Sequence, residues 1–179
     1  LSGLRNISLV IATRNNQTDK VRFNFAALTN KSSIMAYEDD HFIDSAKLVW
    51  NYSFFSAEEI DRFQHGHLHN AYDKFGAHPL TLLGTDGYYF AVWAPNATAV
   101  SVVGEFNGWK KQLHPLFVRL DHSGIWEGFI PRLPEGALYK FCITGLSGEE
   151  FLKADPFSFF NELRPGTASI TRNLQMKWG

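Results

Sequence analysis

The stretch from Val100 to Trp109 reads Val-Ser-Val-Val-Gly-Glu-Phe-Asn-Gly-Trp, a short alternating apolar run that runs into Asn107-Gly108. Asn-Gly is the dipeptide that best supports the left-handed backbone of a tight turn. The residues after Trp109 are Lys110, Lys111 and Gln112, which offer the indole no apolar face. We therefore expect Trp109 to be presented at a loop, where its flat face is available to an apolar ring surface such as the C–H face of a sugar.

The composition is that of a globular domain with a high aromatic share. A chain of 179 residues with 45% hydrophobic and 20% charged residues can bury a core in one domain plus a small appendage. The aromatic share of 15% suits a sheet-rich fold, because aromatic side chains fill pleated surfaces well. The net charge of −1 gives no attraction to nucleic acid or to an anionic membrane surface, so we expect neither partner. Cys142 is the only cysteine, which favours a reducing compartment and predicts a cytoplasmic protein.

A helix is predicted over 56–75. Ser56-Ala-Glu-Glu59 has the pattern of a capping box, and Phe55 and Ile60 occupy the two staple positions. Gly66 is expected to interrupt the helix, and Gly76 to end it. Because the helix has an apolar face, we expect it to dock either on this sandwich or on a partner outside this chain.

After Gly76 the pattern changes to that of short strands. Gly84-Thr-Asp-Gly87 predicts a turn, and the strands predicted after it are 88–94, 99–106, 116–120, 125–130, 138–144 and 149–153, with an edge strand at 168–171. The pattern predicts an all-β fold: an immunoglobulin-like antiparallel β-sandwich, preceded by a short helical segment and a poorly ordered leader.

We divide the chain accordingly into four parts. Residues 1–34 are expected to be a leader that is poorly ordered, forms at most an isolated strand, or lies upstream of a native start at Met35. Residues 35–80 form the helical segment, 81–171 the sandwich, and 172–179 the start of a linker.

Several motifs in this sequence resemble those of the amino-terminal domain of 1,4-α-glucan (glycogen) branching enzymes. They appear in the family's order from about Phe55 to the end of the chain: Tyr72-Asp-Lys-Phe-Gly-Ala-His-Pro79, Phe90-Ala-Val-Trp-Ala-Pro-Asn-Ala97, Val102-Val-Gly-Glu-Phe-Asn-Gly-Trp109, Gly124-Ile-Trp-Glu127, Leu138-Tyr-Lys-Phe141, Lys153-Ala-Asp-Pro-Phe157 and Arg164-Pro-Gly-Thr-Ala-Ser169.

The resemblance implies an early-set, glycogen-binding type of sandwich that stands before a (β/α)8 barrel of the α-amylase superfamily. Such a fragment would bind α-1,4-glucan, as in glycogen or amylose, and support the barrel. The retaining chemistry of the family needs two close carboxylates, and the resemblance places both beyond residue 179. We therefore assign no catalytic residue and expect no cofactor or metal in this chain.

The resemblance also implies a glucan-binding set of Trp109, Lys140, Asn107 and Phe151. Related modules stack an aromatic residue after the Phe-Asn turn on glucose, and a lysine on a later strand binds sugar hydroxyls. Phe151 is the candidate for a second aromatic platform. The structural alternatives are a Trp109 packed at an interdomain or sheet edge and a Lys140 that is a solvated strand lysine.

Other features have structural explanations. His65, His67 and His69 are close enough in sequence to suggest a metal site, but no cysteine lies near them, and the polar face of a docked helix accounts for them. Trp93 and Trp126 lie on alternating strands, which predicts that both pack in the core. Two further functions remain open: a free-standing glycogen- or starch-binding regulatory module, like the β subunit of the energy-sensing kinase, and a structural spacer domain of another α-amylase superfamily enzyme, such as a debranching enzyme.

Overall fold

The computed structural model describes residues 47–173 in full, together with the backbone of four short strands before them. These four are β1 (Ser8–Arg14), β2 (Gln17–Arg22), β3 (Ile34–Ala36) and β4 (Phe42–Asp44). The strands that follow are β5 (Gly76–Leu82), β6 (Thr85–Trp93), β7 (Ala99–Gly104), β8 (Phe117–Val118), β9 (Ile125–Pro131), β10 (Leu138–Thr144), β11 (Glu150–Lys153) and β12 (Ser169–Ile170). The helix α1 is Ala57–Gln64.

The strands form the antiparallel sandwich that the sequence predicts. A six-stranded sheet has the order β2-β1-β5-β6-β9-β8. In the four-stranded sheet, β10 pairs with β7 along one edge and with β11 and β12 along the other. The predicted fold class is therefore confirmed.

The core between the two sheets is built from alternate residues of the central strands. Phe90 of β6 makes edge contacts with Tyr139 and Phe141 of β10, with ring centroids 5.1 and 6.4 Å apart. Val102 of β7 is fully buried in the same cluster. These large side chains lock the sheets face to face, and the residues between them point to the outer faces.

The outer face of the six-stranded sheet is covered by the segment that precedes it. Trp50 pairs with Phe129 of β9 through two backbone hydrogen bonds of 2.7 and 2.9 Å, and their rings lie 5.4 Å apart. Ile60 of α1 and Phe75 pack in the same apolar cluster. The helix therefore docks, as its apolar face predicts, and of the two possible partners it is the sandwich that it covers.

The start of α1 matches its sequence signature. Ser56 Oγ accepts from the Glu59 N–H at 3.2 Å, and Glu59 Oε2 accepts from the Ser56 N–H at 2.9 Å, so the capping box is confirmed. The helix is shorter than predicted, because Gly66 has a left-handed φ of 74° and ends it. A 3-10 turn at Ala71–Asp73 follows.

Two predictions at the start of the sheet are wrong. The turn between β5 and β6 is Leu83-Gly84, with φ values of 52° and 72°, and Leu82 pairs with Thr85. Two consecutive left-handed residues form the tight hairpin turn that suits twisted strands. The predicted turn at Gly84-Thr-Asp-Gly87 is therefore misplaced, and the sheet begins at Gly76, inside the predicted helical segment 35–80.

Part of the predicted leader forms paired strands in the structure. β1 and β2 form a hairpin, and β1 adds to β5 at Ala12 and Thr13. The prediction of at most an isolated strand is therefore wrong for 8–22. The other residues of the leader, apart from β3, and residues 174–179 of the predicted linker lie outside the described residues. Among the described residues, no helix is long and apolar enough to cross a membrane.

Candidate functional site

The loop after β7 is tied down by the side chain of Asn107. Asn107 Oδ1 accepts from the Gly104 N–H at 3.0 Å, and Asn107 Nδ2 donates to the Val102 carbonyl at 3.0 Å. The same Nδ2 lies 2.9 Å from His114 Nδ1. Asn107 and His114 are each 7% exposed, so this amide bridges the two ends of the loop in a buried position.

Trp109 is presented on this loop. Trp109 is 39% exposed, and its backbone N–H donates to the Gly104 carbonyl at 2.9 Å. The exposed indole that we predict is therefore confirmed. The local backbone differs from a hairpin turn, because Glu105–Asn107 form a 3-10 helix that ends at Gly108 with a φ of 60°.

Lys140 lies beside this loop on β10. It is directly opposite Val103 of β7, and its neighbour Tyr139 is opposite Gly104, the residue that binds the Trp109 N–H. Lys140 Nζ donates to Thr167 Oγ1 at 2.6 Å. Because Tyr139 and Phe141 point into the core, Lys140 projects from the outer face of the four-stranded sheet. This hydrogen bond positions the Lys140 ammonium group. Thr167 is a polar neighbour of Lys140 that the sequence did not predict.

The loop reaches across this outer face. Lys111 forms an ion pair with Glu150 at the start of β11, and both side chains are 38% exposed. Burial raises the pKa of the Cys142 thiol, and the charge of Glu150 adds to that effect while Lys111 opposes it. Cys142 is two residues from Lys140 on the same face, so Lys111 and Lys140 lie on the same side of the sheet.

Phe151 is not brought together with Lys140. It is opposite Ile143, while Leu152 is opposite Cys142. Side chains alternate along a strand, so Phe151 shares the face of Ile143 and Leu152 shares the face of Lys140. Phe151 is 45% exposed, and Lys153 Nζ lies 5.6 Å above its ring. Phe151 therefore does not form a second aromatic platform beside Lys140.

Asn107 has a different place from the one that the resemblance implies. Its amide oxygen and nitrogen are both used within the loop, and its side chain is almost completely buried. A side chain in this position orders the loop and does not offer its amide to a sugar hydroxyl. We therefore remove Asn107 from the set of direct contacts and retain it as a loop residue.

Trp93 corrects a second prediction. Its side chain is 57% exposed, not packed in the core, and its indole N–H donates to the Ser123 carbonyl at 3.0 Å. Trp93 starts a row of aromatic rings with successive centroid distances of 6.0, 5.2 and 5.2 Å: Trp93, Phe63, Phe75 and Phe157. Alternation along β6 could not distinguish an inner face from the rim of an outer face.

The chain after Phe157 forms an exposed apolar loop. Phe159 is 48% exposed, Phe160 is 43% exposed and Leu163 is 91% exposed. The guanidinium carbon of Arg172 lies 5.4 Å from the centre of the Phe160 ring. We call Trp93, Phe63, Phe75, Phe157, Phe159 and Phe160 the aromatic band.

The two buried carboxyl groups, Glu127 and Asp155, serve the fold. Glu127 is 1% exposed and accepts hydrogen bonds from Tyr89 Oη at 2.5 Å and Arg119 Nη1 at 2.7 Å. Asp155 accepts from Tyr139 Oη at 2.6 Å. Burial raises the pKa of both carboxyl groups, partly opposed by these partners. Each carboxyl group is hydrogen-bonded to side chains of neighbouring elements, so both groups stabilise the fold.

Two other features lie apart from the loop. A groove of about 790 Å³ runs between α1 and residues 116–121, and Trp109 and Lys140 do not line it. Within the part of the chain that the structure describes, no three metal-ligating side chains come together, the histidines near the end of α1 included.

Comparison with known proteins gives a match over part of the chain. Residues 74–158 match the model of carbohydrate-binding module 48, described as the isoamylase N-terminal domain. This stretch of the chain is therefore similar to that family of carbohydrate-binding modules.

The relatives refine this assignment. The chain is 51% identical over 123 residues to the 1,4-alpha-glucan branching enzyme GlgB of Desulfitobacterium hafniense, which covers 68% of this chain and 19% of that protein. It is 42% identical over 156 residues to the enzyme of the same name from Thermosynechococcus vestitus, covering 84% of this chain and 20% of that protein. The resemblance to the amino-terminal region of branching enzymes is confirmed, and the chain spans about a fifth of the length of these relatives.

A solved structure gives a weaker likeness. The Klebsiella pneumoniae pullulanase complexed with maltotriose is 25% identical with a TM-score of 0.45, covering 58% of this chain and 10% of that chain.

Proposed function

We propose that this chain is the amino-terminal, glucan-binding part of a 1,4-α-glucan branching enzyme, and that it holds α-1,4-glucan on the outer face of the four-stranded sheet. One observation carries this proposal: an exposed indole, Trp109, sits on a tied loop that follows β7, the strand that pairs with β10 at Lys140. The family match to a carbohydrate-binding module and the branching-enzyme relatives support it.

The chemistry of the two side chains is complementary. The flat indole of Trp109 can cover the apolar C–H face of a glucose ring, since aromatic faces bind such surfaces through dispersion and burial. The Lys140 ammonium has three donors, of which Thr167 takes one. The remaining donors can bind the hydroxyl oxygens at the edge of the sugar.

The contribution to branching is positioning. We assign transfer of the glucan segment to the (β/α)8 barrel that follows this domain in the family, where two close carboxylates would serve as nucleophile and general acid/base. A bound glucan chain is held near that barrel, which raises its local concentration at the reacting groups. The 179 residues alone are therefore expected to bind glycogen without branching it.

A second role, support of the barrel, is favoured by the aromatic band. Trp93 and Phe160 expose apolar rings, and a polar-rimmed apolar surface of this kind suits contact with another protein surface. Ile170 N–H donates to the Phe160 carbonyl at 2.8 Å, so the band lies beside the strand that leads toward the end of the chain. We call the outer face of the four-stranded sheet the glucan face. A glucan on this face and a protein surface on the aromatic band can bind at the same time.

Glycogen co-sedimentation tests the glucan face. Trp109→Ala should lower the affinity for glycogen, measured from the fraction that sediments at several glycogen concentrations, by about 5- to 150-fold, since stacking of a flat ring on an aromatic side chain contributes on the order of 1–3 kcal/mol. Trp93→Ala is the matched control, because it removes an exposed indole from the aromatic band and should leave sedimentation unchanged. Equal sedimentation of wild type and Trp109→Ala would remove the glucan face and leave the chain as a structural spacer.

A further inference from the structure

The backbone that presents Trp109 has an unfavourable conformation. Gly108 and Trp109 are both left-handed, with φ values of 60° and 59°. Glycine adopts this region freely, but a bulky residue does so only when its surroundings fix it there. The Trp109 N–H is held by the Gly104 carbonyl at 2.9 Å. The rest of the loop must therefore hold Gly104 and Trp109 in place.

The Asn107 amide does this, and its orientation is fixed by its partners. The Gly104 N–H can only donate, so the atom that it meets is Oδ1. The Val102 carbonyl can only accept, so the atom that it meets is Nδ2. Since Nδ2 also lies 2.9 Å from His114 Nδ1, that ring nitrogen must accept, and the ring proton must sit on Nε2.

We propose that Asn107 and His114 form a latch that positions Trp109, and that the latch is closed only when the His114 ring is neutral. This inference rests on the proposed glucan binding by Trp109. A proton on His114 Nδ1 would place two donors against each other at 2.9 Å. The amide cannot turn over to relieve this, because that would break its bonds to both Gly104 and Val102.

The groups packed around the His114 ring leave the Asn107 amide as the contact that depends on protonation of Nδ1. The Phe106 ring packs edge-on against the imidazole with centroids 5.1 Å apart. Strand β7, on which His114 packs, carries no charged side chain. The charged residues of the loop are Glu105 and Lys110, both exposed, and Lys111, which pairs with Glu150. Burial lowers the pKa of His114, so the latch stays closed at neutral pH and opens only under acidic conditions.

Glycogen affinity as a function of pH tests the latch. As the pH falls from 7 through the lowered pKa of His114, the affinity of the wild type should fall by about tenfold, the factor that corresponds to one hydrogen bond of about 1.4 kcal/mol. The Asn107→Asp variant cannot donate to the Val102 carbonyl, so it should bind glycogen more weakly than the wild type at pH 7. Its carboxylate can accept a hydrogen bond from a protonated His114 Nδ1, so its affinity should stay constant or rise as the pH falls. The His114→Gln variant keeps an acceptor for Asn107 Nδ2 and cannot titrate, so its affinity should not depend on pH.

Hydrogen exchange of the Trp109 amide, without glucan, separates this inference from the proposed function. After correction for intrinsic rates, the protection of this amide should fall at acidic pH in the wild type and persist in His114→Gln. If Trp109→Ala binds glycogen like the wild type, the proposed function fails, while the exchange result still decides the latch. Identical pH profiles of binding and exchange in the wild type and both variants would overturn the latch.

Discussion

The two outer faces of the sandwich are finished in different ways. On the six-stranded sheet, residues 50–75 bury Trp50, Tyr52 and Ile60 against Phe129, so that face becomes a second core. On the four-stranded sheet, the outer face carries Lys140 and is crossed by the loop that presents Trp109. Tryptophan thus has two uses in one small fold. A buried indole completes the structure, and an exposed indole on a tied loop remains available to a ligand.

The largest expected effect is on the covered face. Trp50→Ala should lower the free energy of unfolding by about 3–5 kcal/mol, the usual cost of removing a large buried aromatic side chain. Trp50 is 3% exposed, and its indole N–H donates to the Lys47 carbonyl at 3.2 Å. Urea unfolding measures this loss.

Trp109→Ala is the matched comparison, and surface substitutions of this kind usually change stability by about 0.5 kcal/mol or less. Similar losses in the two variants would mean that both indoles are structural, and the distinction between the faces would disappear.

The sequence predicts the exposed indole well, because its signal is local. Asn107-Gly108 and the three polar residues after Trp109 are adjacent in the chain, and a left-handed turn followed by polar residues leaves little apolar surface nearby. The capping box at Ser56 is equally local. Such features depend on backbone chemistry within a few residues.

Features that depend on pairing could not be read from the sequence. Strand β5 contains Pro79, and a proline argues against a central strand. The strand nevertheless lies between β6 and β1, although its pairing with β1 involves only Thr81 and Leu82. The opposite faces of Phe151 and Lys140 follow from a register that only the paired strands define. Trp93 alternates like a core residue, but it lies at the rim of the covered face. The role of Asn107 depends on His114, seven residues further on.

A smaller effect on the covered face comes from Glu59, which joins α1 to the turn before β5. Its Oε1 lies 2.8 Å from Lys74 Nζ. Partial burial opposes ionisation, but the hydrogen bonds to Lys74 and Ser56 outweigh it and lower the pKa of Glu59. A carboxyl group with a lowered pKa stabilises the folded state above its unfolded pKa, and that stability is lost as the pH falls through the folded pKa.

Glu59→Gln should therefore cost about 1 kcal/mol of unfolding free energy at neutral pH, a typical value for a partly buried capping and ion-pair group. The difference from the wild type should vanish as the pH falls through the lowered pKa of Glu59, where the wild-type carboxyl becomes protonated. Chemical denaturation across this pH range measures it. A difference that persists at low pH would show that the lost ionisation is not its cause.

The smallest expected effect is on glucan binding at the outer face of the four-stranded sheet. Lys140→Met keeps the aliphatic stem and removes the ammonium group, so the affinity for glycogen should fall by about threefold, as expected for one exposed charge-assisted hydrogen bond of about 0.7 kcal/mol. Lys111→Met is the matched control, because Lys111 lies on the same side of the sheet but is paired with Glu150. Affinity electrophoresis in gels that contain glycogen can resolve changes of this size. If the two variants lose affinity equally, the loss does not come from a bond specific to Lys140; if only Lys140→Met loses affinity, the ammonium held at Thr167 contacts the sugar directly.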